Sequence, residues 1–449
     1  MIKKVYFNSM VIIKIKIVAL LIIFSICTGI GQYKVTFEEN VFYINDEPFF
    51  PIGWYECNNI KELKELKSTG VNTVLVLWDF FVQSNGKDFS ANGYRNSLKP
   101  FLSVADTLDV KVIIQIPYKK QFSSASEFES AITNDDYIDI IVSYFKDSRA
   151  VLGWYLADEP EAVSNWKTQP YARLQAWYKL IKEIDKHHPV FVCMANGNDL
   201  LSQTIDRKNA SKINHNPYTE NKFFDVLMED HYVIKMENSV PSTSLHDYDE
   251  WLKTLFKAFI KFNNEDLKAY STMLVTQGYG GGIEGYRNPA MSEIKYSVFS
   301  AIEFAQSSKY RSDFLYNLGG ILFWRYGAAN YDCKRDINEF INFFVKYSFD
   351  EIIRQENIND LILNQHLVPE VGVFLRFWEG SYYLFVINRS NKKIKCKLQL
   401  KIDSYSNSNE LLVPFDKIKK VYLDDEECGI VSFNSALERR ETKIIQINK

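Results

Sequence analysis

VLGWYLADEPE, residues 151–161, runs seven apolar, aromatic or small residues together and then stops on an Asp, a Glu and a Pro. A strand exposed on one side alternates apolar and polar residues; a strand covered on both faces reads as a near-continuous apolar run. Val151–Ala157 has the second pattern. The stretch therefore predicts a buried parallel strand that opens onto two adjacent carboxylates.

The same pattern recurs on both sides of it. Short apolar strands are expected to end at Trp54 (FPIGW), Trp78 (NTVLVLW), Ile116 (KVIIQI) and Leu156 (VLGWYL). Four more are expected near Met194 (VFVCM), Asp230 (FFDVLMED), Gln277 (STMLVTQ) and Trp324 (GGILFW). Between them lie stretches of helical period such as NIKELKELKSTG, YARLQAWYKLIKEIDKHH, DEWLKTLFKAFIKF, SEIKYSVFSAIEFAQSS and RDINEFINFFVKYSF. Eight strands alternating with helices predict an α/β protein with a (β/α)8, or TIM, barrel. The rival, a doubly wound open sheet, lacks a Gly-rich phosphate loop after any strand. YKVTFEENVFYINDEPFF, ahead of the first strand, reads as a hairpin turning at Asn45-Asp46.

After residue 364 helical periodicity stops. VGVFLRFW, SYYLFVIN, KIKCKLQLKI, ELLVP, KKVYL, GIVSF and TKIIQIN are short strands parted by turns. They predict a small antiparallel β-sandwich, with residues 351–364 as a helix leading into it. The expected organisation is an export signal over 1–31, a barrel over 32–364 and a sandwich over 365–449.

The signal is read from MIKKVYFNSMVIIKIKIVALLIIFSICTGIGQ: a Lys-bearing front, an uncharged run from Ile17 to Ile26, then small residues at Gly29 and Gly31. The run is short for a membrane span, so no stable span is expected after cleavage, and the protein is expected to be secreted or periplasmic. The net charge is −3 with scattered Lys and Arg, which leaves nucleic acid without an electrostatic footprint. Of six cysteines, Cys27 would leave with the signal. The remaining five include no C-x-x-C pair or zinc spacing, so no metal or cofactor is expected. Cys396 and Cys428 are the one pair considered for a disulfide, with buried free thiols the simpler account. Aromatic residues make up 15% of the chain, and flat apolar rings suit sugar faces as well as cores.

Active sites of such barrels sit at the C-terminal strand ends. Here those ends offer Tyr55 and Glu56; Trp78 and Asp79; Gln115 and Tyr118; Asp158 and Glu159; Asn196 and Asn198. The later strands add Glu229, Asp230, His231 and Tyr232; Gln277 and Tyr279; and Trp324, Arg325 and Tyr326. A ring of carboxylates, amides and aromatics suits a polyhydroxylated ligand.

PFFPIGWYE, GWYLADEPE, FDVLMEDHY and GGILFWRYG resemble the strand motifs of (β/α)8-barrel glycoside hydrolases, in particular bacterial members with a Gly-Trp-Tyr-x-x-Asp-Glu-Pro segment. The resemblance spans roughly residues 34–350, and GSYYLFVINRSNKK is similar to the sandwiches that often follow such barrels. Retaining members of the large clan carry Asn-Glu-Pro at the fourth strand. The resemblance thus implies Glu159 as general acid/base and Asp158 as a hydroxyl contact. It further implies a carbohydrate substrate, contacted by Trp54, Trp78, Asn196, Tyr232, Gln277 and Trp324. The departure is Gln277, which stands where that clan has a Glu nucleophile. Asp230 and Glu284 are the candidate replacements, whereas Glu293 reads as a helix cap. Adjacent Asp-Glu is also similar to the substrate-assisted hexosaminidases, which need no protein nucleophile. Two non-enzymatic readings stand beside these: a carbohydrate-binding barrel that lost its second acid, and a structural surface protein.

Overall fold

The computed structural model describes residues 33–38, 41–117, 135–159, 170–194, 223–230, 232, 234–237, 240–243, 248–254, 271–278, 286–306, 318–364, 370–402, 404–412, 418–427 and 429–449. Residues Val35–Lys449 form one compact unit.

Three antiparallel strands open it: β1 (Val35–Glu38), β2 (Val41–Ile44) and β3 (Glu47–Phe49). Asn45 and Asp46 both take left-handed backbone (φ 53° and 66°), the geometry of the tight primed hairpin turn that Asn and Asp tolerate. Phe42 of β2 stacks on Phe191 at 5.8 Å, so this small sheet packs against a residue that points into the barrel.

The barrel strands are β4 (Ile52–Tyr55), β5 (Thr73–Val76), β6 (Lys111–Gln115), β7 (Val151–Asp158), β8 (Val190–Met194) and β9 (Val226–Asp230). After a hairpin, β10 (Ile234–Glu237) and β11 (Val240–Thr243), come β12 (Ser271–Gln277) and β13 (Leu318–Trp324). The eight are parallel and close into a barrel, as the sequence predicts. Helices α1 (Ile60–Lys67), α2 (Trp78–Ser84), α3 (Ala91–Thr107), α4 (Asp135–Phe145), α5 (Pro170–Ile184), α6 (Met291–Gln306) and α7 (Tyr331–Lys346) lie between and after them. Side chains alternate along each strand. Val74, Val76, Val112, Ile114, Val190, Val192, Ile321 and Phe323 join the core beneath the helices. Leu75, Ile113, Tyr155, Phe191 and Leu322 are equally buried but lie outside that shell, filling the barrel. Both faces are apolar, which is why the strands read as unbroken runs.

Three strand ends differ from the sequence reading by one or two residues, at Tyr55, Gln115 and Asp158, and two other places differ in kind. The second strand ends at Val76, and Trp78 opens α2 instead, its backbone N–H donating to Gln115 Oε1 at 2.8 Å. Residues 351–364 are not one helix: α8 (Phe349–Ile352) is followed by a single tight turn over Asn359–Leu361. Asparagine side chains compete here with helical bonding. Asn359 Oδ1 accepts from Leu375 N at 2.7 Å, and Asn364 bridges Lys397 O and Gln399 N at 2.8 Å each.

The C-terminal region folds as two antiparallel sheets. One has the order β14 (Val371–Trp378), β15 (Ser381–Asn388), β21 (Thr442–Asn448), β17 (Asn407–Leu411), β18 (Ile418–Lys420). The other joins β16 (Ile394–Lys401), β20 (Ile430–Leu437) and β19 (Asp424–Glu427). The DDEE stretch that forms β19 carries no apolar signal. Along β15, Leu384 and Val386 face the core between the sheets, whereas Tyr383, Phe385 and Ile387 belong to the barrel's own core. Phe385 meets Phe299 of α6 at 5.4 Å and Phe349 of α8 at 5.7 Å. β15, in the middle of the five-stranded sheet's paired strands, is therefore buried on both faces. Buried ion pairs join the same surfaces: Arg389 with Glu303, and Arg440 Nη1 with Asp249 Oδ2 at 2.7 Å. Cys57, Cys193, Cys333 and Cys396 are buried free thiols; Cys428 lies outside the described residues.

Candidate active site

The strand that carries the adjacent acids is irregular at the place where they appear. Tyr155 of β7 is opposite Phe191 and Ala157 is opposite Val192, so Leu156 is an extra residue relative to β8. A bulge of this kind re-aims the side chains beyond it. Tyr155 and Asp158 would point to opposite faces of a regular strand; with the bulge between them, Tyr155 O–H donates to Asp158 Oδ1 at 2.7 Å. Pairing with β8 continues through Glu159 N–H to Cys193 O at 2.8 Å. Glu159 then turns into left-handed backbone (φ 46°), a conformation uncommon outside Gly, Asn and Asp and often found at functional sites. From outside, Trp154 of the same strand is pinned by its Nε1, which donates to Asp185 Oδ2 at 2.9 Å. Although burial works against it, His188 at 2.7 Å and Trp154 hold the Asp185 carboxyl down at about 2.

Two strands on, β9 ends in Asp230, and its carboxyl is hydrogen-bonded to Glu159. Tyr232 O–H donates to Asp230 Oδ2 at 3.0 Å. Burial, then the Glu159 charge and hydrogen bond, then Asp158 push the Asp230 carboxyl well above the usual carboxylate range, against the opposing Tyr232 bond. Asp230 thus keeps its proton where an ordinary aspartate has lost it. The phenols of Tyr55 and Tyr232 are likewise raised, first by burial and then by nearby acidic groups, so both remain neutral donors.

Aromatic residues gather at the same strand ends. Tyr55 meets Trp324 edge-on at 5.1 Å and Tyr155 at 5.9 Å. Trp78 is half-buried against Phe89 at 5.5 Å and Tyr137 at 6.1 Å. Arg325 pairs with Glu56 and lies over the Phe80 ring at 4.3 Å. Both are thereby engaged as neighbours of the site, with Glu56 raised by burial against that pairing. Gly278 accommodates this packing: a Cβ there would come within 2.7 Å of both the Trp324 carbonyl and the Trp54 ring.

Of the residues singled out in the sequence, Asp158, Glu159, Asp230 and Tyr232 come together, and Trp324 reaches them through Tyr55. Trp54 does not. It is fully buried on the helix side of β4, packed on Phe323 and Tyr326, with Nε1 donating to Asn338 Oδ1 at 2.9 Å. It offers no stacking face because its neighbour, Tyr55, takes the inward position. Glu284, Asn196, Tyr118 and His231 lie outside the described residues, as does the side chain of Gln277, whose backbone pairs with Trp324. Glu293 caps α6, accepting from Ala290 N at 2.8 Å and pairing with Arg287 at 2.6 Å. Sequence reading missed Tyr155 and Cys193; their signal was the inward phase of strands whose outward phase carries Trp154 and Val192.

A family model described as a domain of unknown function, DUF4434, matches residues 54–219. No curated protein matches the chain. A GH30 endoxylanase from Clostridium papyrosolvens is 13% identical with a TM-score of 0.52, over 93% of this chain and 98% of that one. A Bacteroides vulgatus protein described as a candidate glycoside hydrolase is 12% identical with a TM-score of 0.53, over 93% of this chain and 82% of that one. What the chain shares with these glycoside hydrolase structures is its fold, a closed eight-stranded parallel barrel followed by a β-sandwich.

Proposed function

We propose that this chain is an exported glycoside hydrolase acting on an oligo- or polysaccharide, with the Glu159–Asp230 pair supplying the proton-transfer chemistry. The observation that carries the reading is the contact between these two carboxyls at the C-terminal end of the barrel. A glycosidic oxygen leaves readily only when protonated as its bond breaks, and the donor must hold a proton near neutral pH. Two touching carboxyls in a buried, aromatic setting do this, because both cannot be charged at once. In this reading Glu159, the less buried of the two, meets the substrate, and the buried Asp230 stores the proton. Export rests on the sequence of residues 1–31.

The same contact favours a particular mechanism. Carboxyls that flank a glycosidic bond stand about 5–5.5 Å apart in retaining enzymes and about 6.5–9.5 Å apart in inverting ones. A hydrogen-bonded pair matches neither spacing. It suits a substrate-assisted route, in which the 2-acetamido oxygen of the sugar attacks the anomeric carbon. One carboxyl then protonates the leaving oxygen while a neighbour, Asp158 or Asp230, receives the amide N–H. Water later opens the cyclic intermediate and returns the proton to the acid.

The test is a screen of residues 32–449 against aryl glycosides and polysaccharides, with and without 2-acetamido groups, using wild type, Glu159→Gln and Asp158→Asn. Cleavage confined to 2-acetamido substrates and crippled by Asp158→Asn supports substrate assistance. Cleavage of other sugars would place the second carboxylate elsewhere, with Glu284 first in line. Sugar binding without turnover by wild type would make this a carbohydrate-binding barrel and end the hydrolase reading.

A further inference from the structure

Behind the acids runs a chain of hydroxyl groups that the chemistry above does not use. Tyr55 O–H, from β4, donates to Tyr155 Oη at 3.1 Å, and Tyr155 O–H donates to Asp158 Oδ1 at 2.7 Å. Tyr55 and Tyr155 are fully buried and Asp158 is 8% exposed. The Cys193 thiol, from β8, is hydrogen-bonded to Tyr55. Each tyrosine has a single proton. Tyr155 spends its proton on the carboxyl, so it can only accept from Tyr55, and the chain points one way. Such chains polarise along their length.

We propose that Tyr155, and Tyr55 behind it, are positioning residues that hold the Asp158 carboxyl facing the Glu159–Asp230 pair and thereby keep the transferable proton on that pair. Among the described residues, the groups that face Asp158 include Tyr155 on its own strand, Glu159 next to it, Tyr55 on β4, Cys193 on β8, and Asp230 on β9 with Tyr232 just beyond. Asp158 acts on Asp230 across the barrel mouth. If its carboxyl is released, less charge faces Asp230 and the pair gives up its proton more easily. A hydroxyl chain that merely satisfied buried phenols would lower stability when cut but leave Asp230 untouched.

The kinetic part of this inference rests on the proposed hydrolase reading; the titration part does not. The purified chain, labelled with ¹³C at the aspartate carboxyls, is titrated by NMR, with Asp230→Asn used to assign the Asp230 signal. In Tyr155→Phe the Asp230 midpoint should fall by roughly 0.5–1 pH unit, with a smaller fall in Tyr55→Phe. Where a hydrolysed substrate is in hand, the alkaline limb of kcat should move down by the same amount. If Tyr155→Phe fails to fold, Tyr55→Phe, which keeps the direct bond to Asp158, carries the test alone. An Asp230 midpoint that is unchanged or raised in the folded variants overturns the proposal. A shifted midpoint in a protein that hydrolyses nothing upholds the positioning role and removes the hydrolase reading instead.

Discussion

Replacing Arg440 by Met should uncouple the C-terminal sheets from the barrel at a single buried point. Arg440 lies in the turn before β21 at φ 56°, a strain that unbranched Met bears no worse than Arg. Its Nη1 donates to Asp249 Oδ2 at 2.7 Å and to Tyr296 Oη at 2.6 Å, and Nη2 reaches Asn391 Oδ1 at 3.2 Å. Both members of the ion pair are nearly inaccessible, with side chains 5% and 11% exposed. Removing one partner of such a pair leaves an uncompensated buried charge and costs about 3–5 kcal/mol. The cost should depend on pH. Burial already raises the Asp249 carboxyl, against Tyr296 and the nearby guanidinium groups, and loss of Arg440 raises it further. A carboxyl raised in the folded state destabilises that state as pH climbs above its unfolded value of about 3.9; raising it by tenfold in proton affinity costs about 1.4 kcal/mol. The variant should therefore lose more at about pH 7.5 than at about pH 5, where Asp249 can take up a proton. Urea denaturation followed by tryptophan fluorescence reads both values. Adding Asp249→Leu should recover at least about half of the loss, since no orphan charge remains. A loss under about 1 kcal/mol at both pH values, or a double variant no better than the single, would refute the reasoning.

Four further outcomes follow from the same geometry. A chain ending at residue 364 should aggregate, because it uncovers Phe299 and Phe349, which pack on Phe385; a soluble, monomeric product on gel filtration counts against the shared core. Asp230→Asn should raise thermal stability at about pH 8 more than at about pH 4, since a buried carboxyl with a raised pKa costs stability as pH rises; an equal effect at both pH values contradicts the assignment. Glu159→Gln should cut turnover of poor leaving groups by roughly 10²–10⁴-fold and that of activated aryl glycosides far less, as measured by paired kinetics on the two substrate types. Trp54→Ala should cost about 3–5 kcal/mol of stability, whereas Trp324→Ala should weaken sugar binding; calorimetry showing the reverse would put Trp54 in the cleft after all.

The barrel was legible because its physics is local. Strands covered on both faces must be apolar at every position, and Val74–Val76, Val112–Ile114 and Val190–Val192 are. The acids were legible as strand ends, and Asp230 was already a candidate partner for Glu159. Their contact was not, because it depends on the bulge at Leu156 and on left-handed backbone at Glu159. Neither feature has a residue signature: Leu and Glu are ordinary where Gly or Asn would have given warning. Trp54 misled for a related reason. A strand end supplies two neighbours, one inward and one outward, and the sequence does not state the phase; Tyr55 faces in and Trp54 faces the helices. β19 was missed because DDEE is a strand only by pairing with β20.

The two-sided burial of β15 bears on what the C-terminal sheets do for the site. They rest on α6 through Phe299, Tyr296 and Glu303, and α6 is the connection between β12 and β13. Those two strands pair from Thr272 with Leu318 to Gln277 with Trp324, so one wall of the barrel mouth is held from behind by the sandwich. The chemistry proposed above uses the other side, β7 and β9, which are braced by Asp185 and by β8 between them. A disturbance at Arg440 should therefore reach the aromatic wall, where Trp324 meets Tyr55, before it reaches the acid pair. On the proposed hydrolase reading, substrate affinity and proton transfer therefore have separate supports. An Arg440→Met protein that stays folded should accordingly show a raised KM with kcat and its pH limbs unchanged, and a shifted pH limb with unchanged KM would mean that the sandwich acts on the acids directly.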